Sequence, residues 1–140
     1  MRTLILVGFF VALAASATSC ASRSGSRGAS ETRIDENTFE LVVRGAANVP
    51  LDQVQSELRY KCADLTTREG YDAFVLTDSK DEQSEFTNQV PTMTARDAPA
   101  QVVVTKYWTS RATIRLYKGA APPGAVSAAE VLKARDAAAK

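Results

Sequence analysis

Histidine is absent from the 140 residues. That removes the side chain that most often serves as a general base near neutral pH and as a metal ligand, and with it every Ser-His or Cys-His nucleophile pair. The 2 cysteines, Cys20 and Cys62, are too few to close a zinc site by themselves. Charge of either sign is not in surplus: 17 Lys+Arg stand against 16 Asp+Glu, and no Lys/Arg cluster occurs. The electrostatic footprint of a nucleic-acid binder is therefore missing. No internal repeat is visible. These absences predict no cofactor, no metal and no enzyme, and leave a small binding or sensing module.

What is present begins with Met1-Arg2-Thr3, a short basic start, followed by the apolar run LILVGFFVALAA from Leu4 to Ala15 and then by small residues. This is the layout of a secretory signal peptide over residues 1–19. The run falls short of the roughly 20 apolar residues a spanning helix needs. Two processing readings fit. Ala15-Ser16-Ala17 is an A-x-A cleavage site, which would release a soluble periplasmic chain. Ala17-Thr18-Ser19-Cys20 resembles a bacterial lipobox, in which the cysteine is lipidated and becomes the first residue; Ala17 stands where that pattern prefers Leu. The stretch after Cys20, ASRSGSRGAS, has the Ser/Gly composition of a flexible tether, expected over residues 20–32, and favours the anchored reading. Lipidation by several acyl chains holds a domain stably, since each buried methylene contributes about 0.8 kcal/mol. Ala21 in place of Asp resembles the sorting signal for the outer membrane. Without Met1–Ser19 the charges are 16 against 16, because only Arg2 is lost.

The remainder, residues 33–140, is the length of one small domain. TFELVVR (Thr38–Arg44) alternates, with Phe39, Leu41 and Val43 on one face, and reads as a half-buried strand ending at Gly45. Leu51 to Glu69 places Leu51, Val54, Leu58, Cys62 and Leu65 on one helical stripe. Gly70 is expected just past the helix end, with Tyr71 covering it. AFVLT (Ala73–Thr77) reads as a central strand. Asp78 to Pro99 is polar and aperiodic, and reads as a long loop. QVVVTKY (Gln101–Tyr107) and RATIRLYK (Arg111–Lys118) read as a hairpin turning near Trp108-Thr109-Ser110. Ser127-Ala128-Ala129-Glu130 is a capping box opening a final helix from Ala128 to Ala138. The order β-α-β-β-β-α predicts an α+β fold, helices packed on an antiparallel or mixed sheet.

Three segments, TRIDENTFELVVRG (Thr32–Gly45), TTREGYDAFVLTD (Thr66–Asp78) and the closing VSAAEVLKA, together resemble an uncharacterised family of short proteobacterial envelope lipoproteins. Those proteins pair a lipobox cysteine with a strand, a helix ending in a Gly-Tyr/His-Asp turn, and an apolar strand. The resemblance implies location and fold, and no reaction. The imperfect lipobox and Cys62 depart from the pattern. A looser similarity to small outer-membrane stress-sensor lipoproteins is one of architecture alone.

Four sites follow. Cys20 is the expected lipid attachment point. Cys62 is either a redox-sensing thiol in an oxidising compartment or a small core residue on the stripe of Leu58 and Leu65; a Cys20–Cys62 disulfide requires an unlipidated Cys20. Asp78, Asp81, Glu82 and Glu85 miss the spacing of a calcium loop and read as solvated charge, while Asp72 reads as a turn residue. Lys106, Tyr107, Trp108 and Arg111, around the expected hairpin tip, form a possible interaction patch, because aromatic and Arg side chains dominate binding hot spots; either aromatic could instead close the edge of the core. The sequence thus predicts a lipid-anchored periplasmic binding module whose partners are the membrane and possibly another envelope protein, with redox or stress sensing through Cys62 as the alternative.

Overall fold

The computed structural model describes residues 26–90 and 101–140. Residues 1–19 of the expected signal peptide and Cys20 lie outside the described residues. The elements are β1 (Ser26–Arg33), β2 (Thr38–Gly45), α1 (Leu51–Arg68), β3 (Ala73–Val90), β4 (Gln101–Tyr117), β5 (Val126–Ser127) and α2 (Ala128–Ala138). The strands form one antiparallel sheet in the order β1-β2-β4-β3-β5. From Thr38 onward the order is β-α-β-β-β-α, and the fold is α+β.

Alternation in β2 and the C-terminal half of β4 builds the core. Phe39, Leu41 and Val43 face the same side as Ser110, Ala112, Ile114 and Leu116, and all of these are buried. Helix α1 lays Val54, Leu58, Cys62 and Leu65 on that surface, and Phe74 of β3 completes it at 0% exposure. Full burial of a side chain of this size contributes about 1.5–3 kcal/mol. Ala128, Val131 and Leu132 bring α2 onto the same cluster, and Arg135 of α2 pairs with Asp64 of α1 at 3.3 Å. Both helices thus serve one side of the sheet. At Gly45 the side chain of α1 lies close against the strand: a Cβ there would meet Val54 Cγ2 at 2.6 Å.

Helix α1 ends as its sequence predicts. The Tyr71 N–H donates to Thr66 O at 2.9 Å and the Gly70 N–H to Thr67 O at 3.1 Å, with Gly70 at φ 79°. This is the Schellman arrangement, which needs a left-handed residue one place past the helix. Asp72 is the turn residue it was read to be: Gly119 N–H donates to its carboxylate at 2.8 Å and Ala128 N–H to its carbonyl at 3.1 Å. Ser127 stands at the N-cap of α2, but its side chain makes no capping bond. Its backbone is engaged in the ladder opposite Ala73 instead.

Three sequence expectations are corrected. The tether of residues 20–32 overlaps a strand, because Ser26–Thr32 belongs to β1 and pairs with β2. An edge strand needs only backbone partners on one side, so Ser/Gly composition does not prevent it; Glu31 adds an ion pair to Arg68 of α1. The polar loop begins as a strand: Asp78–Val90 continues β3 and pairs with β4 along its whole length. The hairpin at Trp108-Thr109-Ser110 does not exist. Gln101–Tyr107 and Arg111–Tyr117 are one strand, since β4 pairs with β3 rather than folding on itself.

Candidate functional site

Side chains of β4 alternate between two environments, and this divides the expected patch. Lys106 and Trp108 share the helix side with Ser110, whereas Tyr107 and Arg111 point to the side that neither α1 nor α2 covers, the uncovered face of the described residues. Trp108 packs against the rim of the core, so it closes the core edge rather than a turn. Lys106 is exposed and pairs with Glu85 at 3.3 Å across the ladder. Arg111 reaches Glu40 of β2 at 3.0 Å, an exposed pair of the kind worth at most about 1 kcal/mol.

The uncovered face is built from Glu40, Val42 and Arg44 of β2, the odd-numbered residues of β4 and, beyond a bulge at Thr77, the even-numbered residues of β3. It holds a shallow concavity of about 520 Å³ lined by Arg44, Ser84, Phe86, Asn88 and Tyr107. A second hollow of about 300 Å³ lies between Gly28, Ser30, Val42 and Thr109, and Arg44 borders it too. The Arg44 guanidinium is exposed at the junction of the two and has no ion-pair partner among the described residues. Val42, a half-buried Tyr107 and Phe86 give it apolar company. Chemically this is a surface for a carboxylate set in an apolar segment, because guanidinium and carboxylate form two parallel charge-assisted bonds.

Past Trp108 the ladder with β2 has ended, and β3 and β4 run on as a two-stranded arm. Its base is held from both sides. Asn48, at φ 59°, donates its N–H to Lys106 O at 2.8 Å and accepts the Lys106 N–H on Oδ1 at 3.2 Å, replacing the strand that has stopped. Asp81 accepts from the buried Ser110 hydroxyl at 2.6 Å and from Gln55 of α1 at 2.7 Å. Of the acidic residues read as solvated charge, Asp81 is therefore a fastening for the arm, while Glu82 is exposed, its carboxyl held below the usual range by Lys80. No group of His, Cys, Asp or Glu able to hold a metal occurs among the described residues.

Cys62 is 0% exposed on the inner stripe of α1. Burial pushes its thiol up to about 12. Because the thiolate is the reactive form, a thiol in this position is suited to packing. Arg44, Phe86 and the arm were not found by sequence reading; a lone Phe in a polar stretch and a Val-Val-Val run were the available signals.

Comparison with protein-family models, with curated proteins and with solved structures returns no match for this chain.

Proposed function

We propose that the chain is a lipid-anchored periplasmic binding module, fixed through Cys20 to the outer membrane, that holds another envelope protein against the uncovered face of its sheet and catalyses nothing. The reading rests above all on Arg44. A guanidinium without an ion-pair partner among the described residues, beside Phe86 and Tyr107 in a concave surface, is the composition of a binding hot spot. The partner it fits is a protein segment that presents a carboxylate among apolar side chains. Support for the anchor comes from the apolar leader, the lipobox-like Ala17–Cys20 and the resemblance to envelope lipoproteins.

Photo-cross-linking in living cells tests the binding. A cross-linker in place of Thr109, on the uncovered face, should trap a discrete species that Arg44→Ala abolishes, whereas one in place of Gln55, on the helix side, should not. Equal trapping from both faces would sink the reading. The anchor is tested separately by the intact mass of membrane-extracted protein: an unmodified N-terminus at Thr18 rules it out.

A further inference from the structure

Where β2 stops, β4 keeps an open edge. Even-numbered residues of β4 aim their backbone groups at the β2 side: Leu116 N–H donates to Asn37 O at 2.7 Å, and Lys106 exchanges both of its groups with Asn48. Backbone direction alternates along a strand, so Val104 and Val102 turn their N–H and C=O the same way. These groups have no strand beside them among the described residues, because the ladder with β2 ends at Arg44 and Thr109. Asn48 closes the inner end and shows what the edge accepts. With one N–H and one side-chain oxygen it imitates a residue of an antiparallel partner strand.

Charge and position say what completes the edge. Gln101–Thr105 carries no charged residue, and Val102, Val103 and Val104 are exposed. Charges along an edge are the usual guard against strand pairing, and the outer edge of β3 has them in Lys80, Asp81, Glu82 and Glu85. A strand on that outer edge would lie across β3 and β4 from Arg44, whereas one on the open edge of β4 lies in line with β2. Its residue opposite Thr105 shares the uncovered face with Arg44. Arg44 lines one hollow with Phe86 and Asn88, which pair with Thr105 and Val103. The guanidinium, without an ion-pair partner among the described residues, therefore borders the space that this one side chain enters. Residues opposite Val104, Val103 and Val102 meet valines, beside which β-branched neighbours pack best.

We propose that a segment of the partner protein adds to this edge as a strand antiparallel to β4, with an acidic side chain opposite Thr105, against Arg44, and β-branched apolar residues opposite Val104, Val103 and Val102. This rests on the protein-binding reading of the concave face and specifies it. Val104 and Val102 each exchange an N–H and a C=O with the segment. The antiparallel direction is the one in which a residue exchanges both groups with a single partner, as Lys106 does with Asn48. Backbone bonds then hold the segment whatever its sequence, while Arg44 and the valines select an acidic residue followed by three apolar ones.

The test is the in-cell cross-link from Thr109 in the full chain, repeated with proline on the edge. Val104→Pro or Val102→Pro removes an outward N–H and leaves the bonds to β3, which belong to the odd-numbered residues of β4, in place. Each should keep the wild-type midpoint in urea and reduce the trapped species roughly fivefold or more, since a carbonyl of the partner is left without its donor. Val104→Thr, which keeps the N–H and the branched shape, should trap as wild type does. If one proline lowers the urea midpoint, the other decides. Trapping that Arg44→Ala abolishes but both prolines spare overturns the strand addition and leaves the binding reading standing. No trapped species from wild type overturns both. A lowered midpoint in both proline variants means that the edge is already paired within the chain, and overturns the proposal too. A trapped mass of two copies of this chain assigns the edge to self-association and likewise overturns it.

Discussion

Strands β3 and β4 pass through two regimes within one continuous ladder. In the half from Ser110 to Leu116, every second residue of β4 is buried against α1 and β2. In the half from Gln101 to Val104, every residue is exposed, although three of the four are valines. Strands β3 and β4 stay paired through both halves, the bulge at Thr77 apart. What differs is the second layer: one half has α1 over it, and among the described residues the other has no helix. Burial, and with it the energetic weight of a side chain, is thus set by what covers a strand and not by the strand's own hydrophobicity.

The comparison can be broken from the covered half first. Phe74→Ala, which empties a fully buried ring from the core cluster opposite Leu116, is expected to lower stability by about 3–5 kcal/mol in urea denaturation. A loss below about 1 kcal/mol would mean that the covered half is no better packed than the arm. A smaller effect sharpens the same half through Cys62. Its thiol ordinarily titrates near 9.0 and is pushed up to about 12 by burial. Below the lower value both folded and unfolded chains keep the proton and stability is undiminished. Between the two, the unfolded chain releases it and the folded one does not, so stability falls as pH rises. Denaturation of wild type and Cys62→Ala across this range should show the steeper fall in wild type, and a thiol reagent should label the native protein only after unfolding. Parallel curves would contradict the burial. The smallest effect belongs to the bare half: Val103→Ser should change stability by less than about 0.5 kcal/mol in the unanchored chain. A cost approaching that of Phe74→Ala would show the arm to be packed after all.

Legibility in the sequence followed the same division. Strand β2 and α1 were readable because a buried face imposes a period on the residues that meet it, and the end of α1 through Gly70; α2 was read from the Ser127–Glu130 box, although Ser127 makes no side-chain capping bond. The segment Asp78–Val90 was not readable, since neither of its faces is buried and, apart from Asp81, it answers mainly to a backbone partner. Trp108-Thr109-Ser110 imitated a turn for a related reason. Ser110 is small and polar, yet it is buried, and its hydroxyl is taken up by an aspartate that lies 29 residues away in the chain. Of the expected patch, Tyr107 and Arg111 lie on the uncovered face; Lys106 and Trp108 do not. Only the pairing of β3 with β4 brings Arg44, Phe86 and Tyr107 around one hollow, and no single segment carries that information.

The bulge at Thr77 governs how this strand tolerates changes of length. Leu76 lies opposite Ile114 and Asp78 opposite Thr113, so Thr77 is one residue more than the ladder uses. Its hydroxyl rests on Thr113 O at 3.1 Å. Removing it would leave every later pair of β3 and β4 as it stands. Removing a single residue between Thr77 and Phe86 would turn over all that follow, sending Phe86 to the helix side and its neighbours to the other. Thr77 therefore works as an expansion joint inside the covered half: the pairs Phe74–Leu116 and Leu76–Ile114 on one side of it are decoupled in length from everything beyond, the arm included.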